Sequence, residues 1–235
     1  MKKTALITGA ASGIGHNIAI NLLKLGYKII TIDKQFGKFP ESVTSYTFDL
    51  KDEVSLSEVI NSIDQLDVAV NCAGIPCTRK SLIEFTSAEI INDFYENFVI
   101  TFNAMKFEII KMQMQRYGKI INIGSSAAHR GMKNMLAYSA SKASIVNMTK
   151  VAAIENAPFN IQINSISPAS IDTPMLRNKY QGVLPDYSNA YYTHACGSVD
   201  DVFSAVKMFI ENNFCTGYDL VIDGGLSDLC EILTR

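Results

Sequence analysis

The chain has 235 residues, 48% of them hydrophobic, enough for one large α/β domain and short for two. Its 21 basic and 23 acidic side chains give a formal charge of −2 with no clustered basic stripe, so nucleic acid is not an expected partner. No run approaches the roughly 20 apolar residues of a membrane span, and the basic start reaches a glycine turn too soon for a signal-peptide core; a cytoplasmic protein without a membrane partner is expected.

In chain order, the order reads βαβαβα from the first residues, with short apolar, β-branched runs between longer segments of helical period. Thr4–Thr8 predicts a strand and Ile14–Leu25 a helix, followed by a strand at Lys28–Ile32 and another at Ser45–Phe48. A helix over Val54–Ile63 leads to a strand at Val68–Asn71, then a long helical stretch around Ile90–Arg116 and a strand at Lys119–Ile123. Helical spacing returns over Ala137–Asn156, ended by Pro158, and over Val199–Glu211, with strands at Gln162–Ile166 and Leu220–Ile222. Several of these strands are near-continuous apolar runs, as strands covered on both faces should be. The expectation is a single doubly wound, Rossmann-type α/β domain over 1–235, with a seven-stranded parallel sheet and helices on both faces.

Thr8-Gly-Ala-Ala-Ser-Gly-Ile-Gly15 joins the first strand to the first helix, where glycines let the backbone approach a pyrophosphate at the helix N-terminus. Asp33 follows the second strand, 18 residues after Gly15. An acidic side chain there can accept hydrogen bonds from the adenosine ribose and would repel a 2′-phosphate, which favours NAD over NADP as cofactor. Lys34 beside it is the counterweight. Tyr138-Ser-Ala-Ser-Lys142 places a phenol and an amine on one helix face, where the ammonium is expected to lower the phenol's pKa and make it a general acid/base. Five scattered cysteines without C-x-x-C spacing read as reduced thiols, and three distant histidines form no ligand pattern, so no metal is expected.

Together these segments resemble the short-chain dehydrogenase/reductase family, from Thr8 to the C-terminus. The glycine block, carrying Gly9, Ser12, Gly13, Ile14 and Gly15, matches the family's T-G-x-x-x-G-x-G start. Asp49, with Leu50 after it, matches the adenine-contacting aspartate, and Asn71-Cys-Ala-Gly74 matches N-N-A-G, so that Asn71, Ala73 and Gly74 are implied at the cofactor. Pro168-Ala-Ser-Ile-Asp-Thr173 resembles the segment that contacts the nicotinamide, bringing in Pro168, Ile171 and Thr173, and Asp223-Gly-Gly225 matches a C-terminal D-G-G. Asn97 falls where the family holds a proton-relay water, and Ser125, 13 residues before Tyr138, where it orients substrate. The resemblance implies hydride transfer between the nicotinamide and an alcohol or carbonyl carbon, with Asn97, Ser125, Tyr138 and Lys142 catalytic and Tyr138 and Lys142 also touching cofactor. A catalytically silent dinucleotide sensor or scaffold is the alternative. Two departures stand out: Cys72 replaces the second asparagine, which steadies the central strands, and Ala169 replaces a glycine.

Substrate choice is expected to lie in a short, aromatic lid over about 174–197, suggesting a compact polar or ring-containing small molecule. His129 and Arg130 follow Ser125 and, with Arg177 of the lid, could bind a carboxylate alongside Ser125. The local sequences also resemble the family's 2,3-dihydro-2,3-dihydroxybenzoate dehydrogenases. The family relationship further implies a homo-oligomer, tetramer or dimer, paired through the long helices, with the apolar segment Leu226–Leu233 either adding to that interface or closing the core.

Overall fold

In the computed structural model, which describes residues 2–227, β1 (Thr4–Thr8) is buried along its whole length and passes through a glycine turn into α1 (Gly13–Lys24). Next come β2 (Lys28–Asp33), β3 (Thr44–Thr47), α2 (Glu53–Asn61), β4 (Val68–Asn71) and α3 (Ser87–Phe94). The order continues with α4 (Ile100–Gln115), β5 (Gly118–Ile123), α5 (Leu136–Asn156), β6 (Ile161–Pro168), α6 (Pro174–Lys179), α7 (Val199–Glu211) and β7 (Asp219–Ile222). The strands form one parallel sheet in the order β3-β2-β1-β4-β5-β6-β7. The order reverses between β1 and β4, which opens a crevice beyond their carboxyl ends.

Side chains alternate across the sheet. Ala5, Ile7 and Val70 pack with Ile18 and Leu22 of α1 and Val206 and Phe209 of α7. On the other face, Leu6, Ala69 and Ile120 meet Leu56 and Ile60 of α2, Met105 and Met112 of α4, and Ala152 of α5. Lys119 is buried and reaches the end of α7, donating to the carbonyls of Ile210 (2.7 Å) and Asn212 (2.9 Å), where a cation complements the helix dipole.

The structure departs from the sequence expectations in three places. Strict alternation fails between β2 and β3: residues 34–43 cross without a helix, and Phe39 there stacks on His16 at 4.9 Å. The long helix begins at Ser87, behind a capping box of Thr86 and Glu89, and is broken by a π turn at Tyr95–Val99. Residues of the lid form α6, started by Pro174 behind the Thr173 cap. Cys230 and most of the segment Leu226–Leu233 lie outside the described residues. Among the described residues no helix is long and apolar enough to cross a membrane.

Candidate active site

The turn after β1 can only be built with glycine. Gly9 has φ +65°, and a Cβ there would lie 2.5 Å from the nitrogen of Ala73; a Cβ on Gly15 would lie 2.3 Å from the carbonyl oxygen of Gly9. The N-terminus of α1 therefore packs directly over the ends of β1 and β4, with no acidic residue in its first turn to compete for an anion. The carboxylate of Asp33 bridges this turn and the next loop, accepting from the nitrogens of Ala11 and Gln35 at 2.9 Å each. Asp33, Asp49, Leu50, Gly9, Ala73 and Gly74 line one small cavity of about 50 Å³ with Lys34, Glu96 and Ile100. Glu96 forms ion pairs with Lys51 and, at 3.8 Å, with Lys34. The acidic lining, the glycine cradle and the bare helix N-terminus suit the adenosine and pyrophosphate of a dinucleotide.

Gly74 also lines a second cavity of about 250 Å³, which gathers Ile14, Asn97, Ser125, Tyr138, Lys142, Pro168, Ile171 and Thr173. The π turn puts Asn97 at its wall. The Asn97 Oδ1 accepts from the nitrogen of Ile75 (3.1 Å), and its Nδ2 donates to both the carbonyl and a carboxylate oxygen of Asp93 (3.1 Å each). Asp93 is buried and also accepts from Ser141 Oγ at 3.1 Å, so it ties the π turn to the helix that carries Tyr138. Nothing in the sequence reading had singled out Asp93, although its i,i+4 spacing to Asn97 is a usable signal. The Ser125 Oγ accepts from the nitrogen of Ala127 at 3.2 Å, which leaves its proton free to be donated.

Lys142 donates to the carbonyl of Ile123 at 3.0 Å, and its ammonium lies 5.8 Å from the centroid of the Tyr138 ring. Desolvation pushes the Tyr138 phenol up to about 12, against the pull of a hydrogen bond with Ser125. It also brings Lys142 down to about 8. The expected lowering of the phenol by the ammonium is therefore not what this geometry produces: the charge sits over the ring and is held on a carbonyl, and burial prevails.

Of the other residues expected at the cofactor, Gly13 faces Thr173 across the crevice, Ser12 holds the N-cap position of α1 without a side-chain capping bond, and Asn71 turns its side chain into a network between strands. Asn71 accepts from Thr8 Oγ1 (3.2 Å) and donates to Asn122 (3.0 Å) and Glu108 (2.9 Å) in a buried cross-strand network. These bonds link the central strands although Cys72 brings no amide to them. Cys72 itself lines the cavity as a thiol, raised to about 12 by burial. Ala169 has no positive φ, so a glycine is not required there.

The three basic residues expected to hold a substrate carboxylate do not line the cavity, because each has a nearer partner. Arg177 grips Asp172 with two bonds of 2.7 and 2.6 Å, His129 Nε2 lies 2.7 Å from Asp219, and Arg130 donates to the carbonyl of Leu226 at 2.8 Å. Arg79 and Lys179, which the sequence reading did not select for this role, line it instead, with Cys77 and Tyr191.

A family model described as short chain dehydrogenase matches residues 3–183. The chain is 30% identical to the 3-oxoacyl-(acyl-carrier-protein) reductase FabG of Buchnera aphidicola subsp. Schizaphis graminum, over 96% of this chain and 97% of the relative. It is also 30% identical to the 2,3-dihydro-2,3-dihydroxybenzoate dehydrogenase of Bacillus subtilis, over 95% of both. Among solved structures, ElxO with NADP bound superposes with a TM-score of 0.88 at 30% identity, covering 96% of this chain and 99% of that one. The glycine cradle, the parallel sheet and these matches lead to one conclusion: the chain belongs to the short-chain dehydrogenase family of NAD(P)-dependent oxidoreductases.

Proposed function

We propose that the protein is an NAD-dependent alcohol dehydrogenase or carbonyl reductase acting on a compact polar or ring-containing substrate, with Tyr138 as its acid/base. The observation that carries this reading is that Asn97, Ser125, Tyr138 and Lys142 share one cavity that meets the dinucleotide cradle at Gly74. Bound NAD would supply the hydride acceptor, and NADH the donor. Tyr138, protonated at neutral pH, gives its proton to a carbonyl oxygen in reduction and, as the phenolate, takes one from an alcohol in oxidation. Ser125 donates to the same oxygen and stabilises the charge that develops there. Lys142 spends one N–H on Ile123 and keeps two for the nicotinamide ribose. A complete set of these groups argues for turnover rather than a silent sensor.

The choice of NAD rests on Asp33, Asp49 and Glu96 around the adenosine cavity, with Glu96 neutralising Lys34 and Lys51, the cations a 2′-phosphate would need. Titration should show NADH binding at least about tenfold tighter than NADPH. Glu96→Gln should narrow the gap by releasing both lysines. Equal affinities in the unaltered protein would overturn the assignment. A screen of small alcohols and ketones, followed at the reduced-nicotinamide absorbance band, tests the activity; no turnover of any would leave only the sensor reading.

We also read the protein as a homo-oligomer paired through α4 and α5. These helices leave Phe102, Ile110 and Val151 exposed beside a groove of about 850 Å³. Light scattering should give a dimer or tetramer, and Ile110→Glu with Val151→Glu should shift it toward monomer; a monomeric unaltered protein would exclude this pairing.

A further inference from the structure

Two cations in the Tyr138 cavity have no part in the chemistry described so far. Arg79 comes from the segment after β4 and Lys179 is the last residue of α6, so segments 100 residues apart bring positive charge to one cavity. Among the described residues neither Arg79 nor Lys179 pairs with a carboxylate, and the Lys179 ammonium lies 5.5 Å from the centroid of the Tyr180 ring. Among the described residues no aspartate or glutamate lines the cavity.

Cys77 shows where the charges act. Both Arg79 and Lys179 draw its thiol down against the upward push of burial, and Cys77 in turn acts on Tyr138. Asp93 also acts on Cys77, but it is buried and engaged by Asn97 and Ser141. The segment carrying Arg79 is held in place: the nitrogen of Lys80 donates to the carbonyl of Asn134 at 3.2 Å, and its side chain pairs with Glu89. Lys179 ends the short helix capped at Thr173. Both side chains are exposed to solvent at the cavity, and with no carboxylate partner among the described residues they leave two positive charges that an anion completes.

We infer that the substrate is a compact carboxylic acid whose carboxylate is held by Arg79 and Lys179 while its alcohol or carbonyl faces Ser125 and Tyr138. This rests on the dehydrogenase reading for the second half of the substrate, and the test separates the two. Calorimetric titration of the full-length protein, with and without NADH, uses 3-hydroxybenzoate and 3-hydroxybenzamide as probes of equal ring and hydroxyl but different charge. The acid should bind about tenfold or more tightly than the amide, and added salt should weaken the acid alone. Arg79→Gln and Lys179→Gln should each shrink that preference, and the double variant should bring it to parity; retained NADH binding and an unchanged far-ultraviolet spectrum check folding. Equal binding of acid and amide, binding of neither, or a preference that survives in the double variant overturns the inference. Failure of the dehydrogenase reading would look different, as absence of carbonyl turnover with neutral and acidic substrates alike.

Discussion

Tyr138→Phe should lower turnover by roughly 10²- to 10⁴-fold while NADH still binds, because the variant keeps the ring and loses only the hydroxyl that exchanges the proton. The surroundings of the phenol set a second, directional result. With burial pushing Tyr138 up to about 12, the hydroxyl is protonated at neutral pH and ready to donate, the state that carbonyl reduction needs. Alcohol oxidation needs the phenolate, whose fraction grows about tenfold per pH unit below the phenol's pKa. Oxidation should therefore accelerate relative to reduction as pH rises from neutral, with the loss of the Lys142 proton near 8 acting on both directions alike. Initial rates in both directions across this range check the assignment. Full turnover by the phenylalanine variant, or oxidation that slows relative to reduction with rising pH, would sink it.

The sequence was most readable where one local signal sufficed. Most of the strands are buried apolar runs rich in Ile and Val, and all seven lie within a few residues of the expected ends; β3, Thr-Ser-Tyr-Thr and mostly exposed, is marked by its β-propensity instead. The glycine block and Asp33 could be read because their spacing and their place between strand and helix express one physical demand, close approach of backbone to an anion. The π turn at Tyr95–Val99 was hidden, since one wider turn barely disturbs helical spacing. The Thr86 and Glu89 capping box was a readable start signal that the apolar pattern from Ile90 obscured. Charges were the least legible feature. Arg177, His129 and Arg130 lie close in sequence to site residues, but sequence proximity gives no side-chain direction, and Asp172, only five residues from Arg177, captures it. Arg79 and Lys179 reach one cavity only through the tertiary fold, a non-local event with no local signature.

Glu108→Gln should stabilise the protein, and only above acidic pH. Glu108 sits in α4 between Met105 and Met112 on the face that packs under the sheet, and it is fully buried. Asn71 Nδ2 donates to its Oε2 at 2.9 Å, while Oε1 has no partner among the described residues. Desolvation pushes the carboxyl up to about 7 from an ordinary value of 4.5, and no cation opposes it. The sign follows from linkage. Between these two values the native chain holds a proton that the unfolded chain has released, so stability falls as pH rises through the window, by a total of about 3 kcal/mol once pH 8 is reached. Glutamine keeps the shape and the acceptor for Asn71 but never ionises, so it escapes the whole loss. At pH 8 the variant should melt roughly 5–10 °C above the unaltered protein, and near pH 4, where the glutamate is protonated in both states, the two should nearly coincide. Thermal melts at the two pH values decide it: a difference that does not change with pH would mean that the carboxyl does not titrate in the fold. Because Asn71 ends β4 beside the cofactor crevice and bridges Thr8, Asn122 and Glu108, the same neutral variant should leave the geometry at Ala73 and Gly74 intact. NADH affinity should then stay unchanged while the melting temperature rises, which separates stability of the sheet from construction of the site.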